Sequence, residues 1–158
     1  MSRPRQRGVT MVELAVALGF VGILLVFGIS HYTSLVRRTR ATQVMADLYA
    51  VRAAGYIYFA ESGTWPREYG PGHAPPELAD YLPRSVSFRN KFYQLDWENW
   101  HGPDGRPKSP QTGIVIGVSV VTNDPGLLGD VEKLIASANF RKVSRGKSTL
   151  EILGPGGL

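Results

Sequence analysis

From Val9 to Ile29 nearly every residue is apolar, and Glu13 is the only charge in the run. About 20 residues of this kind are what a helix needs to cross a hydrocarbon core. The pattern then changes without a break. After Arg37, Arg38 and Arg40, apolar or small residues recur at Ala41, Val44, Met45, Leu48, Val51, Gly55 and Tyr58. That is helical spacing, with Gln43, Asp47 and Arg40 falling elsewhere on the wheel. No proline lies between Pro4 and Pro66, and Gly63 followed by Pro66 supplies a stop. The pattern predicts one helix from about Val9 to Glu61, roughly 80 Å long at 1.5 Å per residue. Residues 9–30 are its membrane-spanning half. Residues 31–62 form an amphipathic half with one stripe for a domain to pack on. Gly55 weakens a helix by about 1 kcal/mol relative to alanine, and close packing against a strand would explain its presence.

Beyond the helix the periods shorten. Residues 62–112 are dense in turn formers, so only short elements fit: one helical turn at Glu77–Leu82 and strands at Ser85–Phe88 and Phe92–Trp97. Tyr93, Leu95 and Trp97 would share one strand face. Ile114–Val121 is apolar and β-branched nearly throughout, which marks a central strand. Asp124 offers a helix N-cap and Leu127–Ala138 a short helix. Phe140–Val143 and Thr149–Leu153 flank Arg145-Gly146 as a hairpin. Residues 63–153 therefore read as a small globular α+β head with an antiparallel sheet, and 154–158 as a flexible tail.

Composition and charge refine this picture. The 43% hydrophobic content of the 158 residues averages two unlike parts. Of the net charge of +5, Arg3, Arg5 and Arg7 contribute three before the apolar run, so without the leader the charge falls to +2. The basic balance is thus poor evidence for nucleic-acid binding, and no nucleic-acid partner is expected. Those arginines favour a cytoplasmic N-terminus, with the bulk of the chain across the membrane, although Arg37, Arg38 and Arg40 weaken the bias. No cysteine is present, which excludes a disulfide framework and a thiolate metal site. Glu13 stands out. A charge at the membrane centre costs about 2.5–3.5 kcal/mol on insertion scales, so it should have a partner or a task.

The residues around Gly8 carry a motif: a basic leader ending in Gly8, then Val9, Thr10, Met11, Val12, Glu13 and an apolar helix with Gly22 nine residues beyond the glutamate. This resembles the type IV pilin and type II secretion pseudopilin family, strongly over Arg7–Leu25 and in general architecture to Pro66. The resemblance implies a leader peptide at 1–8, cleavage after Gly8 by a prepilin peptidase, and N-methylation of Val9. Glu13 would then pair with the Val9 amine of an adjoining subunit. It implies a pilin-like lollipop, single-pass in the inner membrane, with its head in the periplasm or an extracellular fibre. Its partners would be other pilin or pseudopilin subunits, the prepilin peptidase, an inner-membrane assembly platform and the lipid bilayer. Val9 stands where phenylalanine or methionine is more usual, and Ser30 where many relatives carry a kinking proline. The missing cysteines and the small head point to a pseudopilin or minor pilin, and Glu13 argues against the tip pseudopilin that characteristically lacks it. The function expected is that of a structural, non-enzymatic subunit without cofactor. A signal-anchored exported binding protein that does not polymerise, or a DNA-uptake competence pilin, is the alternative.

Other candidates have plainer readings. Arg145-Gly146-Lys147-Ser148 contains the GKS of a phosphate loop, but Arg141 stands where that loop needs glycine and the segment lies between strands. Asp124, Asp130 and Glu132 could gather oxygens around calcium; more simply they are a cap and solvated helix charges. Asp104-Gly105 reads as an ordinary turn. His31, His73 and His101 lack metal-ligand spacing. Trp97, Trp100, Tyr93 and Phe92 read as core, with a partner or substrate contact as the alternative. Arg84, Arg89, Lys91, Arg106 and Lys108 around them offer DNA capture as another binding option, weakened by the interspersed Asp96, Glu98 and Asp104.

Overall fold

The computed structural model describes residues 9–100, 114–136 and 139–154. The expectations for the leader, for Asp104-Gly105, His101, Arg106 and Lys108, and for the tail after Gly154 lie outside these residues. The chain divides between Val36 and Arg37 into two compact units.

One helix, α1, covers Met11–Ser62 and so contributes to both units. In the first unit its large apolar side chains are exposed: Leu18 is 63% exposed, Leu24 70% and Phe27 65%. By length and composition this section is apolar enough to cross a membrane.

In the second unit the predicted stripe is the core face of α1. Ala41, Val44, Leu48, Val51 and Ala54 are buried, with Met45 and Tyr58 packed against them. Asp47 departs from expectation. It lies three residues after Val44 and four before Val51, at the border of the stripe, and is buried. Its carboxylate accepts hydrogen bonds from Tyr93 Oη at 2.6 Å and Gln43 Nε2 at 2.7 Å. Gly63 closes the helix with φ +70°, its N–H donating to the Phe59 carbonyl at 2.9 Å.

The sheet has four antiparallel strands: β1 (Gln94–Asn99), β2 (Ile116–Val121), β3 (Phe140–Ser144) and β4 (Lys147–Leu153), in the order β1-β2-β4-β3. The β-branched run is interior, as its composition predicts. A second helix, α2 (Pro125–Ile135), follows β2. Asp124 Oδ1 caps it by accepting from the Gly126 and Leu127 N–H groups. The helix ends at Ile135, where Ala136 takes a left-handed conformation, φ 32°; Ala138, its expected end, lies outside the described residues. Leu127, Leu128, Val131 and Ile135 bury its apolar face in the same core.

One short element needs correction. The strand expected at Ser85–Phe88 does not form. The segment turns after Pro83, with the Val86 N–H donating to the Pro83 carbonyl, and contributes only a bridge, Arg89 to Gln94. The helical turn expected at Glu77–Leu82 is present: a 3-10 helix covers Pro76–Leu78, and the Leu82 N–H donates to the carbonyl of the fully buried Leu78 at 3.1 Å.

β1 meets α1 at one close approach. A Cβ built on Gly55 would lie 2.5 Å from Trp97 Cη2 and 2.8 Å from Cζ3. The helix therefore carries glycine where the outer edge of the indole, Cη2 and Cζ3, comes against it. Trp97 is fully buried, and its Nε1–H donates to the Pro66 carbonyl at 3.0 Å.

Candidate functional site

The residues at the start of α1 form a reciprocal hydrogen-bonded turn. Thr10 precedes the helix, and its N–H and Oγ1 both donate to Glu13 Oε2 at 2.9 Å. The Glu13 N–H in turn donates to Thr10 Oγ1 at 3.2 Å. This is a capping box, with threonine at the N-cap and glutamate three residues on. The carboxylate also sits where the helix dipole favours negative charge. Glu13 thus has an intrachain task that the sequence reading missed, although Thr10-x-x-Glu13 ahead of an apolar run was its legible signal. Only Oε2 is used among the described residues, which leaves Oε1 available to a second donor. Val9 is 76% exposed beside it. Gly8, the other half of the expected cleavage bond, lies outside the described residues.

The remaining candidates do not converge. Asp124 is the α2 cap, Asp130 pairs with Arg37 Nε at 2.6 Å, and Glu132 accepts from Ser148 Oγ at 2.9 Å. Asp130 and Glu132 are therefore engaged rather than simply solvated, and the three carboxylates do not face a common point. Arg145-Gly146 is the turn of the β3–β4 hairpin, with Gly146 at φ +85°. Tyr93 and Trp97 are core, while Phe92 is 39% exposed under the Arg40 guanidinium, 3.6 Å above its ring. Arg84, Arg89 and Lys91 are exposed. The acids expected among them are not: Asp96 and Glu98 are buried.

Those two acids belong to a polar layer that sequence reasoning did not find. β1 alternates, so Leu95 and Trp97 face the core while Asp96 and Glu98 project from the opposite face. There the register aligns Asp96 with Ser119 of β2 and Thr149 of β4. Lys147 Nζ donates to Asp96 Oδ2 at 2.9 Å and to Glu98 Oε1. Ser119 Oγ donates to the same Glu98 oxygen at 2.7 Å and lies 2.6 Å from Thr149 Oγ1. Burial pushes the Glu98 carboxyl above the usual range, against the hydrogen bonds from Lys147 and Ser119 that favour its charge. Burial opposes charge on Lys147 as well, but hydrogen bonds to Glu98 and Asp96 outweigh it and hold the ammonium above its ordinary value.

Desolvation and the bond to Asp47 push the Tyr93 phenol far up from its ordinary value. Its contribution to stability is therefore complete below about pH 10, the unfolded value, and fades as pH rises beyond it. A Tyr93→Phe variant should lose about 1–3 kcal/mol at neutral pH, because Asp47 keeps its burial and loses a donor. Urea unfolding from about pH 8 to about pH 11 should show a steeper alkaline loss in the parent than in the variant, the remainder coming from groups such as Lys147 that are also raised. Equal slopes in the two would remove Tyr93 as the source.

No family model, characterised protein or solved structure matches the chain.

Proposed function

We propose that the chain is a structural subunit of the pilin or pseudopilin kind, cleaved after Gly8 and assembled through the N-terminal part of α1. One observation carries the reading. A single carboxylate, Glu13, stands four residues beyond Val9 at the head of an apolar helical section whose large side chains, such as Leu18, Leu24 and Phe27, are exposed. Cleavage would convert the Val9 amide into an ammonium. In a bilayer an ammonium and a carboxylate are each costly alone and tolerable together. Glu13 Oε1 would accept the amine of a neighbouring subunit while Oε2 keeps its bonds to Thr10. Helices assembled in this way pack by shape and through small residues such as Gly19, Gly22 and Gly28, since lipid gives no hydrophobic drive between them.

Mass spectrometry of the mature N-terminus tests the reading. A chain beginning at N-methylated Val9 is expected. A chain beginning at His31 would sink the proposal and leave an exported protein released from its signal; one uncut at Met1 would sink it and leave a signal-anchored protein.

A further inference from the structure

The polar layer on the second sheet face holds the ingredients of a covalent bond. An amine, a carboxyl group and a second carboxyl group converge: Lys147 Nζ touches both Asp96 Oδ2 and Glu98 Oε1. The two acid side chains are 3% and 1% exposed, and that of Lys147 22%. Asp96 Oδ1 is buried without a hydrogen-bond partner among the described residues. Two carboxylates against one ammonium leave an excess negative charge in a place where charge is poorly solvated. A reaction that removes ions is favoured there in a way it is not in water.

We propose that Lys147 and Asp96 condense into an isopeptide bond, with Glu98 carrying the protons. The Lys147 ammonium passes a proton to Glu98, and the freed nitrogen lone pair attacks Asp96 Cγ. The C–N bond forms as one Asp96 C–O bond breaks. Two of the three ammonium protons leave with that oxygen as water, relayed through Glu98, and the third stays on the amide nitrogen. Nothing is oxidised or reduced, and no further reactant is needed. One buried ammonium and one buried carboxylate disappear, together with the unpartnered carboxylate oxygen. Ser119 continues to donate to Glu98 and holds it beside the new amide.

Topology gives the bond its consequence. Asp96 and Lys147 are 51 residues apart and lie on β1 and β4, which are not neighbours but flank β2. The bond would therefore lock three strands of a head that has no cysteine with which to form a disulfide.

Digestion of the full-length protein with trypsin, followed by tandem mass spectrometry, reads the bond directly. The expected product is a branched peptide, one water lighter than its two arms, joining the segment containing Asp96 to that containing Lys147, with no cleavage after Lys147. Two separate peptides and cleavage after Lys147 would overturn the proposal without any variant being made. A Glu98→Gln variant, checked for the parent's circular dichroism, should yield the unbranched peptides. If the branched peptide persists in that variant, the role given to Glu98 is wrong.

Discussion

A Glu13→Ala variant is expected to be cleaved after Gly8 as before and to enter fibres poorly or not at all. Two effects would be lost together, and the geometry allows them to be separated. As the third residue of the capping box, Glu13 supports the first turn of α1, a contribution of about 1 kcal/mol. As the proposed partner of the neighbouring Val9 amine, it neutralises a charge that lipid does not solvate, and the loss of one member strands the other. A Glu13→Gln variant distinguishes them, because glutamine can complete a capping box but cannot pair with an ammonium. Fibre yield should therefore fall in both variants, by at least about tenfold if more than about 1.4 kcal/mol of contact free energy is lost. Recovery with glutamine would show that helix capping, not charge, is what Glu13 supplies. Unchanged yield in both would make Glu13 dispensable.

Gly55→Ala should destabilise the head by about 1–3 kcal/mol, although alanine for glycine inside a helix ordinarily stabilises by about 1 kcal/mol. The sign reverses because the new methyl would sit 2.5 Å from Trp97 Cη2. The indole has little room to retreat: it is fully buried, tied to the Pro66 carbonyl, and 6.3 Å from the Trp65 ring by centroid. Trp65 is itself stacked on Phe59 at 4.4 Å. In a Trp97→Phe background the smaller ring leaves space, and Gly55→Ala should become neutral or stabilising. That coupling can be read from a double-mutant cycle. Thermal or denaturant unfolding of the full chain in detergent measures all four proteins. Higher stability for Gly55→Ala in the parent background would contradict the contact.

Much of the fold was legible because its signals are local. The stripe from Ala41 to Tyr58 became the core face of α1, and Gly63 ended the helix with the positive φ its position calls for. Asp124 capped α2, and the β-branched run became the interior strand β2. The miss at Ser85–Phe88 has a physical cause. Elements of four to six residues between prolines lack enough ladder or helical bonds of their own, so neighbouring segments decide their form.

By itself, then, the sequence determined one long helix with an apolar first section and a buried stripe on the second, a small antiparallel sheet beneath that stripe, and the Thr10–Glu13 motif at the start. Periodicity and capping depend on residues within one or two turns of each other, so the order of side chains along the chain suffices to specify them. Only the tertiary structure decided that Gly55 makes room for Trp97, that Asp47 is buried against Tyr93, and that Asp96 and Glu98 surround Lys147 instead of facing solvent. Each of these joins residues dozens of positions apart. Strand alternation could place Asp96 and Glu98 on the face opposite Leu95, but the antiparallel register of β1, β2 and β4 was needed to bring Lys147 across to them.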